Sequence, residues 1–255
     1  MTRILFAELT REESRTIARD GVLILPVGAT EQHGPHLPVG TDSMGAEYVA
    51  RAATAALADR FPVAVAPTLW YGSSPHHIPF GGTMSLDAGT FLAVLMDLGR
   101  SLARASFRRL FIVNGHGGNH ELIGIAARDL ALEEGLEVAA CSWWAMAHRE
   151  LASAGAAEIG RLPGHAGAFE SSLVLALDTA LVREPRPHRP DWSSPLVGTV
   201  DAPVRIERPG SWEATDGFTD SPSRGTAELG HTFLRIGVDK LTEAVAGFYE
   251  ESITD

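Results

Sequence analysis

The stretch from Val22 to Asp42 constrains this chain more than any other. Val22-Leu23-Ile24-Leu25 is an apolar run that reads as a buried strand. Gly28, Gly34, Pro35, Pro38 and Gly40 then forbid regular structure, so the strand must open into a rigid loop. On that loop sit Glu31, His33, His36 and Asp42. Two carboxylates and two imidazoles pinned this closely are a donor set for a borderline divalent cation, which takes mixed nitrogen and oxygen ligands. Read alone, the same four residues are also compatible with an ordinary polar surface loop.

The rest of the chain alternates helical and strand patterns. Thr10 to Arg19 is helix-compatible, and Thr10 with Glu13 has the spacing of a capping box. Helical spacing of apolar residues recurs from Asp42 to Arg60, where Thr41 or Asp42 is placed to cap, and from Thr90 to Ala105 and Glu121 to Glu134. Strands are predicted at Val22–Val27, Val63–Leu69, Arg109–Asn114 and Val138–Trp143. Helices are predicted at Trp144–Gly155, at the end of His165–Leu177 and at Gly225–Glu250. Val182 to Asp220, dense in Pro, Trp, Arg and Asp, is expected to form extended strands and loops that cover the core. There are no internal repeats, and the 255 residues read as a single domain.

Strand, loop, helix in succession is the pattern of an α/β fold with a mainly parallel sheet. Loops at the carboxyl ends of such strands converge on one crevice. Glu31, His33 and Asp42, then His76 and His77, then His116 all follow predicted strands, so they should meet. Asn114-Gly115-His116-Gly117-Gly118-Asn119 sets an imidazole among glycines where the backbone can approach a ligand closely. It lacks the spacing and the Lys-Ser or Lys-Thr of a phosphate loop. A third cluster, Gly164-His165-Ala166-Gly167-Ala168-Phe169-Glu170-Ser171-Ser172, surrounds one histidine and one glutamate with small residues. At a helix start, Glu170 alone is equally explained as dipole compensation.

Composition excludes some partners. The net charge of -11 argues against a nucleic-acid backbone and against an anionic membrane surface. No apolar run is long enough to span a bilayer, and Met1 to Leu9 does not read as a signal peptide. A lone cysteine, Cys141, permits no intrachain disulfide and suits a cytoplasmic location.

Thr30-Glu31-Gln32-His33-Gly34-Pro35-His36-Leu37-Pro38, Thr41-Asp42, Asn114 to Asn119 and His165 to Ser172 together resemble the creatininase (creatinine amidohydrolase) family in its glycine-rich form, which includes the mycofactocin-system proteins. Phe80-Gly81-Gly82-Thr83-Met84-Ser85-Leu86, Asp220-Ser221-Pro222 and Gly230 fit as well, so the resemblance runs along nearly the whole chain. It implies a three-layer α/β/α fold, a homohexamer and two divalent metal ions per chain, zinc or manganese. The carry-over implies Glu31 and His116 on one metal, His33 on the other, and Asp42 bridging both. Creatininase proper has a glutamate where Gly118 stands, so Glu170 is the implied replacement ligand. His165 corresponds to the histidine thought to move protons. Arg161-Leu162-Pro163-Gly164 stands where that enzyme has its creatinine-gripping Trp-Asp-x-His.

A hydroxide held between two metals would attack a carbonyl that they polarise, and an uncoordinated histidine would protonate the leaving nitrogen. The expected substrate is a small amide, cyclic ones included. The family also implies alternatives: a peptidase maturing a mycofactocin-type precursor peptide, a hydrolase of formamides or keto-inositols, or a metal-binding protein without catalysis. Candidate substrate contacts are Ser74, His77, Trp143 and Trp144, with aromatic core packing the commoner explanation of the tryptophan pair. His36 is a candidate for holding a ligand in place.

Overall fold

The computed structural model of the chain describes residues 4–189 and 208–252. Helix α1 (Arg11–Asp20) opens on the capping box: the Glu13 amide donates to the Thr10 hydroxyl, and the Thr10 amide donates to the Glu13 carboxylate at 2.7 Å. Then follow β1 (Val22–Val27), α2 (Thr41–Leu57), β2 (Val63–Val65), α3 (Ala88–Arg104), β3 (Arg109–Asn114), α4 (His120–Glu134) and β4 (Glu137–Ser142). Three short helices, α5 (Trp143–Met146), α6 (His148–Ser153) and α7 (Ala156–Ile159), lead to α8 (Ala168–Leu177) and the closing α9 (Ala227–Ser252).

The strands form one sheet in the order β2-β1-β3-β4, and every pairing is parallel. Because side chains alternate along a strand, β1 feeds two cores. Val22 and Ile24 pack with Val49 and Ala53 of α2 and with Phe233 and Leu241 of α9. Leu23, Leu25 and Val27 pack on the other face with Ile17 of α1, Phe91 and Leu95 of α3, and Ile123 and Leu130 of α4. Helices therefore cover both faces, in the three-layer α/β/α arrangement. At the carboxyl end Val27, Asn114 and Ser142 lie side by side, so the loops after β1 and β3 leave from one edge. Among the described residues no helix is long and apolar enough to cross a membrane.

Some elements differ from the sequence reading. Strand β2 stops at Val65, because Pro67 has no N–H to continue the ladder; Leu69 returns only as a bridge to Val27. The predicted helix Trp144–Gly155 is broken at Ala147 into α5 and α6. The stretch expected to be extended, Val182 to Asp220, contains no strand in its described parts and has a 3₁₀ turn at Glu213–Thr215; residues 190–207 lie outside the described residues. Neither Thr41 nor Asp42 caps α2, whose N-cap is Gly40. The Thr41 hydroxyl instead donates to the Pro38 carbonyl at 2.7 Å, and the Asp42 carboxylate faces His33.

Helices α8 and α9 cross at closest approach beside Gly230. A Cβ there would lie 1.8 Å from the Ser172 carbonyl oxygen. Gly230→Ala should gain roughly 1 kcal/mol of helix propensity but lose more to overpacking. A net destabilisation of about 1–3 kcal/mol is expected. It would appear as a lower urea midpoint at unchanged slope; an unchanged midpoint would mean that the two helices part freely.

Candidate metal centre

The carboxyl edge of the sheet carries a buried cluster of Glu31, His33, Asp42, His77, His116, His165 and Glu170. Each arrives by a local device. The loop after β1 supplies Glu31 and His33, and Asp42 sits in the first turn of α2. His116 follows β3, where Gly115 lets the chain touch α2: a Cβ at that position would lie 2.3 Å from the Asp42 carbonyl oxygen. Two asparagines frame the turn. Asn114 accepts from the His116 amide at 3.0 Å and donates to the His116 carbonyl at 2.6 Å. Asn119 accepts from the Ser73 amide and donates to the Gly28 carbonyl, both at 3.0 Å. His165 arrives on the turn before α8 and Glu170 in the first turn of α8; between them Ala166 takes a left-handed backbone (φ +47°) and its amide donates to the Glu170 carboxylate. Thr219 and Asp220 clasp this turn. The Thr219 hydroxyl accepts from the His165 amide at 2.8 Å, and Asp220 accepts from the Ala168 amide at 2.7 Å and the Arg161 amide at 3.2 Å.

Four groups of donors in the cluster could each surround one cation, and two of them share Asp42. Glu31 Oε1 and Asp42 Oδ2 lie 3.2 and 3.0 Å from His116 Nδ1. His33 Nε2 lies 3.1 Å from Asp42 Oδ1 and 3.7 Å from Glu170 Oε2. The outer nitrogens of both imidazoles face carbonyls. His116 Nε2 donates to Ser73 O at 3.0 Å and His33 Nδ1 donates to Glu31 O at 3.1 Å. That arrangement aims Nδ1 of His116 and Nε2 of His33 at the acids.

Both oxygens of Glu31 and Oδ2 of Asp42 are fully buried and have no hydrogen-bond partner. Buried carboxylate oxygens left so cost several kcal/mol, on the order of the penalty for an unpaired buried charge. Oxygens and ring nitrogens facing one another without hydrogen-bond alignment are instead what ligands of a common cation present. By donor type, burial and spacing, the residues fit divalent metal. Burial opposes charge on His33, but Asp42, Glu170 and Glu31 outweigh it and push that imidazole up to about 10. His116 is raised in the same way, against burial, by Glu31 and Asp42. Burial pushes Glu170 up to about 8, against the pull of His33. The acids thus favour the protonated form of both imidazoles, and a cation held among the same acids would compete with those protons.

The remaining sequence candidates fall in three places. His77 is buried against the cluster, with Nε2 3.6 Å from Glu31 Oε1 and its ring stacked on His165 at a centroid distance of 4.0 Å. Burial, then the neighbouring imidazole of His33, holds His165 well below its ordinary range. His165 Nδ1 lies 3.5 Å from Glu31 Oε1, within reach of a cation shared with Glu31 and His33. Ser74 is buried with its hydroxyl 3.2 Å from His116 Nε2, so it touches that imidazole on the side away from the acids. His36 meets the Ser171 hydroxyl at 3.0 Å and ties the β1 loop to α8 beside Glu170.

Trp143 and Trp144 do not join the cluster. Both are buried in the core under α9, where Trp143 packs on Phe169 and against Gly237. The tryptophan beside the cluster is Trp212, which lies edge-on over His77 and His165 at 4.5 and 5.5 Å and also covers His76. Nothing in periodicity marks Trp212, since only the return of the chain past α8 brings it there. Gln32, Asn114, Asn119, Thr219 and Asp220 were likewise not singled out as positioning groups.

Gly118 has no room for a side chain: a Cβ would lie 2.2 Å from Ser73 O and 2.5 Å from His116 Nε2. Glu170 reaches the His33 side of the cluster from α8 instead.

The family model for creatininase, described as creatinine amidohydrolase, matches residues 7–245. The mycofactocin precursor peptide peptidase of Mycobacterium tuberculosis is 34% identical over 88% of this chain and 84% of its own length. The creatinine amidohydrolase of Pseudomonas putida is 33% identical over 95% of this chain and 96% of its own. Among solved structures, a manganese form of creatininase superposes with a TM-score of 0.78 at 29% identity, covering 97% of this chain and 99% of the other. A creatininase variant of Zn–Zn type gives 0.75 at 29% identity over 98% and 99%.

Proposed function

This chain belongs to the creatininase family, and we propose that it is a hydrolase that uses two divalent ions per chain, zinc or manganese, to cleave a carbon–nitrogen amide bond. The observation that carries this reading is Asp42, whose two oxygens face two different ligand sets: Glu31 with His116, and His33 with Glu170. The manganese and zinc forms of related creatininases support the choice of ions. When bound, such a pair supplies a water of lowered pKa and polarises the substrate carbonyl.

The chain's own residues supply the rest. Glu31, His33, Asp42, His116 and Glu170 hold the ions. His165, neutral and beside them, carries a proton to the leaving nitrogen. His77 offers a polar contact next to it, and Trp212 closes over both imidazoles and keeps bulk water from that side. The substrate is a small amide or a short peptide. The peptide reading rests on the 34% identity with the Mycobacterium tuberculosis peptidase. It also rests on Gly118 and Arg161-Leu162-Pro163-Gly164, which stand where creatininase proper has a metal glutamate and its creatinine grip.

The test is to assay the metal-loaded chain against creatinine, other cyclic amides, formamides and short C-terminal peptides. Creatinine should be turned over at least roughly tenfold more slowly than the preferred substrate, about 1.4 kcal/mol of transition-state binding. Creatinine turnover comparable to that of the preferred amide would refute the departure from creatininase proper. Two bound ions with no hydrolysis of any substrate would favour a binding protein without catalysis.

A further inference from the structure

Gln32 stands between the ligand residues Glu31 and His33, yet its side chain turns away from the carboxylates. Its orientation is fixed by two groups that have no alternative role. The Gly34 amide can only donate, and it donates to Gln32 Oε1 at 2.9 Å. The Gly217 carbonyl can only accept, and it lies 3.0 Å from Gln32 Nε2. Flipping the amide would set donor against donor and acceptor against acceptor. Gly217, at φ +73°, also makes the room: a Cβ there would lie 2.6 Å from Gln32 Oε1.

With its orientation fixed, Gln32 Nε2 has two hydrogens, and one goes to Gly217. Two imidazole nitrogens compete for the other, Nδ1 of His77 and Nε2 of His165, each at 3.0 Å. The main chain decides between them. His165 Nε2 also lies 2.9 Å from the Gln32 carbonyl oxygen, which can only accept. That nitrogen must carry its hydrogen and donate it, so it is not an acceptor. The second amide hydrogen therefore goes to His77 Nδ1.

We propose that Gln32 is a positioning residue that sets the hydrogen on two histidines at once: its carbonyl holds the His165 hydrogen on Nε2, and its side-chain amide holds the His77 hydrogen on Nε2. A neutral imidazole carries one hydrogen, and the partner of one nitrogen fixes which. His165 then presents a bare Nδ1 toward the cluster, 3.5 Å from Glu31 Oε1. His77 presents an N–H toward the same oxygen from 3.6 Å. One stacked pair thus offers a proton acceptor and a fixed donor side by side. This assignment rests on the hydrolase reading for its purpose, and on the hydrogen-bond geometry alone for its content.

The test is a two-bond nitrogen–proton correlation spectrum of the zinc-loaded, nitrogen-15-labelled full chain, recorded without substrate. Protonated and bare ring nitrogens are well separated in such spectra. The wild-type chain should show Nε2 protonated and Nδ1 bare in both His77 and His165. Gln32→Glu leaves at most one hydrogen on the side chain, and Gly217 needs it, so the His77 hydrogen should move to Nδ1. Gln32→Met, which removes the amide but keeps the length, should give a mixture of the two forms at His77. In both variants His165 should stay protonated on Nε2, because the main-chain carbonyl remains. Metal content should stay at the wild-type value. A wild-type His77 protonated on Nδ1, an imidazolium at either residue, or a His77 pattern unchanged in both folded variants would overturn the assignment. Because no turnover is read, failure of the hydrolase reading would leave this result standing, and the reverse also holds.

Discussion

Asp42→Ala should take metal content from the proposed two ions per chain to close to none and reduce hydrolysis to background. Asp42 turns one oxygen to each set: Oδ2 faces His116 at 3.0 Å and Oδ1 faces His33 at 3.1 Å. Without it one set keeps Glu31 and His116, the other His33 and Glu170, and each is a poor site for a divalent ion that takes about four ligands. The fold should survive. Among the described residues the one side-chain hydrogen bond that Asp42 makes is to His33, and both cores lie on β1 and its helices away from it. In the metal-free chain the substitution relieves crowding among three buried carboxylates but removes the acid facing His33 and His116, and breaking a buried pair on one side costs about 3–5 kcal/mol, so a lowered stability is expected alongside the retained fold. Elemental analysis of protein purified without chelator, with circular dichroism alongside, tests this. A folded Asp42→Ala chain that keeps two ions would sink the shared-carboxylate reading, and a chain that loses one would make Asp42 a ligand of a single site.

The parts of the site that were legible in the sequence are those written in local chemistry. Strands β1 and β3 are found at their predicted bounds because each is an apolar run ended by a glycine loop, a signal contained in a few neighbouring residues. The chemistry-bearing residues Glu31, His33, Asp42 and His116 stood out for the same reason, on loops that follow those strands. What could not be read depends on where distant segments land. Trp143 and Trp144 directly follow strand β4, where pocket residues often lie, but they are buried in the core with α9, which the chain adds only at its far end. Trp212 lies in a stretch without periodicity and is placed by its tertiary contacts with His76, His77 and His165. Asp220 is legible only as part of a motif. Its action, holding the turn that carries His165 and the start of α8 that carries Glu170, needs the two segments side by side. Gln32 is the plainest case. It sits inside the motif, but its importance lies in which partner each amide atom meets, and both Gly217 and His165 are far away in sequence.

The sharpest separation of roles is expected at His165. A ligand and a proton carrier fail differently when removed: the first lowers metal content, and the second leaves the ions bound and slows the chemical step. The geometry brings His165 near enough for either, since Nδ1 lies 3.5 Å from Glu31 Oε1 and the residue can join Glu31 and His33 around one cation. Two observations favour the proton carrier. The two half-sites already have three protein donors each without it, Glu31 with Asp42 and His116, and His33 with Asp42 and Glu170. The ring is also anchored at Nε2 by the Gln32 carbonyl, which leaves Nδ1 free to take up and release a proton beside the ions. His165→Ala should therefore keep nearly full metal occupancy and lose turnover by about 10²–10⁴-fold. The loss should shrink for substrates with a good leaving group, which need less protonation as the carbon–nitrogen bond breaks. His116→Ala provides the contrast, because it should lose metal first and activity as a consequence. If His165→Ala strips an ion instead, His165 is a ligand, and the proton must come from His77, whose ring stacks on it at 4.0 Å and faces the same Glu31 oxygen.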